Sequence, residues 1–125
     1  MKYLCLVYLD EKMRDALPKA ESEAWIRESL AYDEELRRSG HFLAAQALHS
    51  VSTASTVKVR GGKLSLSDGP FAETQEQLAG FILIEARDLN EAILAAAKIP
   101  GARYGKVEVR PCRDLTGREA WDIPN

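Results

Sequence analysis

The run Tyr3-Leu4-Cys5-Leu6-Val7-Tyr8-Leu9 is apolar at every position. It falls far short of the roughly 20 residues a membrane-spanning helix needs, and it suits a strand buried on both faces. Leu78 to Ala86 repeats the property, with Phe81 and Leu83 opposing Ile82 and Ile84 across the strand. Helices packed on one face of such a sheet leave its other face apolar and wet, so something must cover it. An inserted hairpin would cover part. A second copy of the sheet, stacked at about 10 Å, would cover all of it.

The rest of the chain supplies the partners of these strands. Asp10 to Leu17 is polar and charged and reads as a loop, and Pro18 marks the first turn of a helix. Trp25, Ile26, Ser29, Tyr32 and Leu36 recur at helical spacing until Ser39-Gly40 stops the pattern. Phe42 to Leu48 is an alanine-rich strand. In Thr56 to Leu66, Val57 and Val59 alternate with charges, Gly61-Gly62 makes a tight turn, and Leu64 and Leu66 alternate on the return. Asp88-Leu89-Asn90-Glu91 has the form of a capping box, with Leu89, Ala92, Ile93 and Ala96 as the buried stripe of a second helix that Pro100-Gly101 ends. Lys106 to Arg110 alternates as a half-exposed last strand. Hairpin aside, the order is the split βαβ repeat of ferredoxin-like folds. The expected class is α+β: a ferredoxin-like split βαβ sandwich with an inserted β-hairpin and an antiparallel sheet.

Between hairpin and strand lies Ser67-Asp68-Gly69-Pro70-Phe71-Ala72-Glu73-Thr74. Pro70 fixes its own backbone and restricts Gly69, so this is a stiff loop that gathers two carboxylates, a hydroxyl and a ring beside the sheet. The run SDGPFAETQEQLAGF resembles the signature of the DGPF branch of the YCII-related proteins. The opening MKYLCLVY, the run TVKVRGGKLSLSDGPFAET and the closing IPGARYGKVEVRP resemble the same family in the same order, over residues 1–111. The chain departs from the pattern at Gln75, where a lysine is usual, and at Ala79, where a glycine is usual. The resemblance implies a ferredoxin-like domain over residues 1–111, with the sheet packed sheet-to-sheet in a dimeric α/β barrel. Residues 112–125 then form a C-terminal tail beyond the usual family end, in which Trp121 could wrap a neighbouring subunit.

At 125 residues, 46% of them apolar, the chain makes one domain with a core of its own. A net charge of −2 offers no basic footprint for nucleic acid. The first residues read as a strand and not as a signal peptide, and the location expected is cytoplasmic. Cys5 and Cys112 are too few for a disulfide framework and lack metal spacing. Cys5, in a central strand, reads as a small buried apolar residue. No metal, nucleotide or flavin signature appears, so no cofactor is expected.

The candidate chemistry lies around the stiff loop. Asp68 is a general base or an Asx-type turn residue, and Glu73 pairs with it to split acid and base roles or is a solvated loop carboxylate. His49, at the end of the second strand, could shuttle a proton near that corner; His41 precedes the strand, and either could be a plain strand-end residue. Among candidate ligand-binding residues, Phe71 is a ligand contact or a core plug that anchors the loop, and Thr74 a ligand contact or a turn hydroxyl. Tyr8 and Tyr104 could bond a substrate oxygen or pack locally. Arg103 could hold a carboxylate or an exposed ion pair.

Two functions follow as expectations. The first is a homodimeric small-molecule-binding protein with cofactor-independent acid–base chemistry. The resemblance implies it, because the wider superfamily includes cofactor-free isomerases and monooxygenases and a dehalogenase-like lineage. The second is a non-catalytic accessory or sensor module, which the resemblance links to alternative sigma factors. It would act through protein contact or a metabolite, since the chain carries no DNA-reading element.

Overall fold

The computed structural model describes residues 1–116. The expected role of Trp121 therefore lies outside the described residues. A four-stranded antiparallel sheet has the order β2-β5-β1-β6, built from β1 (Lys2–Leu9), β2 (Phe42–Ala47), β5 (Gln77–Glu85) and β6 (Lys106–Pro111). This is the ferredoxin-like α+β arrangement the alternation implied. Helices α2 (Lys19–Arg38) and α3 (Leu89–Ala97) pack on one face. The core between them and the sheet is Tyr3, Cys5, Ile82 and Ile84 from the strands, Tyr32 and Leu36 from α2, Ala92 and Ala96 from α3, and Ile99. Burial pushes the Cys5 thiol up to about 11, so it is an inert core residue.

Two short helices depart from the reading above. Asp10 to Leu17 contains α1 (Glu11–Asp15), because Asp10 Oδ1 accepts the Lys12 amide at 2.9 Å and caps a turn that has no apolar stripe to reveal it. The second long helix ends at Ala97, and Pro100-Gly101 opens a further turn, α4 (Gly101–Tyr104), instead of simply stopping the first. The capping box forms in half: Asp88 Oδ1 accepts the Glu91 amide at 2.8 Å, but the Glu91 carboxylate turns to Arg87 and His41. Its stripe buries Ala92 and Ala96 and leaves Leu89 and Ile93 exposed.

The hairpin of β3 (Ser55–Arg60) and β4 (Lys63–Asp68) forms a separate two-stranded sheet. Gly61 and Gly62 take φ of +57° and +77°, as a two-residue turn requires. Val57 pairs with Leu66 and Val59 with Leu64, so all four side chains share one face, while Lys58, Ser65, Thr56 and Ser67 share the other. The two strands pack chiefly on each other and do not shield the open face of the main sheet. That open face carries Leu4, Leu6, Leu78, Phe81 and Leu83 in its middle and Lys106, Glu108 and Arg110 along the β6 edge.

Candidate functional site

Helix α2 lies close to the sheet only along its C-terminal half. Tyr32 and Leu36 are buried, and the Tyr32 hydroxyl donates to the Ala95 carbonyl at 2.6 Å. Toward its N-terminus the stripe that should face the core is interrupted by Ser22 and Ser29, and Asp33 interrupts it between Tyr32 and Leu36, all three partly buried. Opposite stand small residues: Ala45 and Ala47 on β2 and Gly80 on β5. Missing volume on both walls leaves a cleft of about 790 Å³. That size falls within the roughly 300–1,000 Å³ of small-molecule sites. Val7, Leu9, Ile82 and Ile99 supply apolar floor, Trp25, Ile26, Leu30 and Leu48 apolar walls, and Arg14 and Asp15 charged lining from α1.

The mouth is pinned by a residue the sequence reading passed over. Glu11 accepts Ser50 Oγ at 2.7 Å and the Val51 amide at 3.0 Å, while its own amide donates to Gln77 Oε1 at 3.0 Å. Partial burial pushes its carboxyl up, but the Ser50 and Val51 hydrogen bonds and the Arg14 charge outweigh that and hold it below its usual range. One residue thereby ties α1, the turn after β2 and the start of β5 together, through its carboxylate on one side and its backbone amide on the other.

Within the cleft the electrostatics centre on Asp33. Among the described residues its carboxylate makes no hydrogen bond. Burial raises its pKa, the nearby Arg37 charge opposes the rise, and Glu34 adds to it. Arg37 is itself paired with Glu34, and Arg14 Nε lies 3.4 Å from Asp15 Oδ1. Arg37, the cation that acts on Asp33, and Arg14, the cation in the cleft lining, are thus each engaged with another carboxylate. Trp25 stacks on Tyr104, with centroids 4.0 Å apart and planes 12° from parallel. The Tyr104 hydroxyl donates to Glu21 Oε1 at 3.2 Å, and partial burial followed by that carboxylate pushes the phenol up. Arg103 pairs with Glu28, which raises its pKa further. Tyr104 and Arg103 therefore act locally, clamping α4 to α2 beside the cleft.

The loop residues are placed elsewhere. Asp68 ends β4 in an exposed position, and Glu73 is exposed beyond it. Neither carboxylate makes a hydrogen bond among the described residues, and neither lines the cleft. The expectation of a core plug fails at Phe71, which is 91% exposed, because its loop leaves the hairpin away from any packed surface. Gly69, at φ +88°, sends the chain around the turn, with its amide donating to the Ala54 carbonyl at 2.7 Å and its carbonyl accepting Thr56 Oγ1 at 2.9 Å. Thr74 is a turn hydroxyl that donates to the Glu76 carbonyl. His49 is exposed just past β2, one residue beyond the cleft-lining Leu48. Tyr8 faces the open side of the sheet, in a shallow hollow with Glu76, Lys106 and Glu108, where Lys106 pairs with Glu76.

One further cluster has the look of a hydrolase relay. Ser39 Oγ lies 2.7 Å from His41 Nδ1, and His41 Nε2 lies 2.9 Å from Glu91 Oε1. Ser39 Oγ also donates to the Leu36 carbonyl at 3.1 Å, capping the end of α2. A hydroxyl committed to a helix carbonyl is not an activated nucleophile, and Ser39 lines neither the cleft nor the hollow. The cluster joins α2 to α3, and its hydrogen bond from His41, with those from Arg87, holds the Glu91 carboxyl below its usual range. Among the described residues no group of histidine, cysteine and carboxylate side chains could hold a metal, and no helix is long and apolar enough to cross a membrane.

Comparison with known proteins agrees with this architecture. Residues 1–116 match the family model described as YCII-related domain. An uncharacterized protein of Rhizobium meliloti (strain 1021) is 36% identical over 113 residues, covering 89% of this chain and 91% of that protein.

Proposed function

The chain belongs to the YCII-related family, and from that premise we propose that it is a homodimeric small-molecule-binding protein whose site is the cleft beneath the N-terminal half of α2. The observation that carries this reading is the cleft itself: apolar walls around a few polar groups, with an ionisable side chain that makes no hydrogen bond among the described residues. Those are the attributes of a ligand site. Filling the space tests it. A fragment library screened by thermal shift should yield binders whose effect disappears in Ser29→Phe, with the variant still folded by circular dichroism. Binders unaffected by Ser29→Phe would place ligand binding elsewhere. Catalysis by Asp68, Glu73 or His49 would need a partner copy to bring these groups to a cavity, since none lines the cleft of its own chain.

The dimer rests on a separate observation. Val57, Val59, Leu64 and Leu66 lie on one face of the hairpin and are each 56–66% exposed. A two-stranded ribbon is marginal alone, and an apolar face of this kind favours cover from another molecule. The apolar middle of the open sheet face supplies a matching surface on a second copy. Leu64→Glu with Leu66→Glu should convert a dimer to a monomer in sedimentation velocity. A wild-type protein that sediments as a monomer would leave the ribbon to a different protein partner.

A further inference from the structure

Resting on the cleft as the ligand site, we propose that its ligand is a small organic cation, an apolar body of about ten to twenty heavy atoms bearing one protonated amine that pairs with the Asp33 carboxylate. The lining sorts into two parts. Trp25, Ile26, Leu30, Leu48 and Ile82 offer only hydrocarbon and ring surface, which takes the body. The charged members are Arg14, Asp15 and Asp33, and Arg14 is balanced by Asp15. This leaves one negative charge without an ion-pair partner in the lining, at Asp33. Arg37, the remaining cation near it, is paired with Glu34 on the exposed side of the helix.

Asp33 makes no hydrogen bond or ion pair among the described residues. A carboxylate set on the cleft side of a helix is taken partly out of water, and its oxygens stay open to the cleft with no protein donor on them. An ammonium ion supplies both the missing charge and the missing donors. An anionic ligand would meet Asp33 as a like charge, with Arg14 already engaged. A neutral ligand would fill the cleft without relieving the carboxylate. The Tyr32 hydroxyl donates its proton to the Ala95 carbonyl, so it does not donate to the Asp33 carboxylate.

Three matched probes decide the point: 4-phenylbutylamine, 4-phenylbutan-1-ol and 4-phenylbutanoate, titrated calorimetrically into the full chain and into Asp33→Asn. The expected result is an amine at least about tenfold tighter than the carboxylate, with Asp33→Asn erasing about tenfold of the amine's affinity and leaving the alcohol within about threefold. The substitution should also raise the melting temperature of the ligand-free protein at neutral pH, which shows that any loss of binding is not a loss of fold. An alcohol or carboxylate that binds as tightly as the amine overturns the proposal, as does an amine affinity indifferent to Asp33→Asn. If in those cases Ser29→Phe still abolishes binding, the cleft remains the ligand site and only the cationic class is refuted. If no probe binds, and library binders ignore Ser29→Phe, both fall together.

Discussion

The C-terminal half of α2 buries Tyr32 and Leu36, whereas Ile26 in its N-terminal half and Leu30 near its middle stand at 61% and 62% exposure over a cleft. Both halves belong to one continuous helix of 20 residues with the same polar outer face. The difference lies in what each meets. The C-terminal half meets Cys5, Ile82 and Ile84, which fill the gap with side-chain volume. The stretch from Ser22 to Leu30 meets Ala45, Ala47 and Gly80, which do not, and it presents serines in return, with Asp33 reaching the same cleft from the C-terminal half. Rigidity in one half holds the other at a fixed height above the sheet. An enclosed binding surface thus needs no separate lid.

This contrast can be broken most directly by truncation. Leu36→Ala should cost about 2–5 kcal/mol in urea unfolding, as core leucines do, whereas Leu30→Ala should cost no more than about 0.5 kcal/mol. Equal losses would mean that the N-terminal half is packed like the other. A smaller effect is expected at the hinge of the cleft, from Glu11→Gln. The folded-state pKa of Glu11 lies below its ordinary 4.5, so its contribution is present above pH 4.5 and is lost as pH falls through the folded value. The variant should melt a few degrees lower at pH 7, with the gap closing in acid. A gap constant with pH would remove the carboxylate from the account.

Asp33→Asn should give the smallest shift, and of opposite sign. Its folded pKa lies above the ordinary 3.8, so holding it ionised costs stability above the folded value, and that cost fades as pH falls through this window. Arg37 and Glu34 on its own helix and Arg14 and Asp15 of α1 are the charged groups around it. The substitution should therefore stabilise the protein at neutral pH and make no difference in strong acid. Destabilisation at pH 7 would mean that Asp33 is held by the fold and not kept for a ligand.

The elements built on periodicity were legible in the sequence. Tyr3 to Leu9 and Leu78 to Ala86 announce central strands because a strand-length apolar run, on both faces at once, is a local property of the sequence. The short helices α1 and α4 were not, since a five-residue turn held by the Asp10 cap has no stripe to count. The cleft was half visible. Ser29 sat within the apolar stripe and the second strand was noted as alanine-rich, yet a missing volume belongs to two segments at once and shows only when they face each other. Phe71 illustrates the same limit from outside: an aromatic ring promises burial, but nothing local says whether its loop reaches a surface.

The pairing of β1 with β5 contains a single irregularity. Val7 pairs with Gly80 but Tyr8 pairs with Leu78, so Ala79 is an extra residue in β5. Beyond it the two sides of the strand exchange places. Leu78 goes to the open face with Tyr8, and Gln77 comes to the helix side with Leu9, where its amide oxygen accepts the Glu11 backbone. Drawing Ala79 into the ladder opposite Tyr8 would reverse that exchange, burying a leucine where the glutamine anchors α1, whereas deleting Ala79 would leave Leu78 opposite Tyr8 and Gln77 opposite Leu9. In the evolution of such chains, the bulge is therefore the one place in this pairing where β5 can lose a residue and keep the binding rim, while a one-residue change in the regular ladder inverts it.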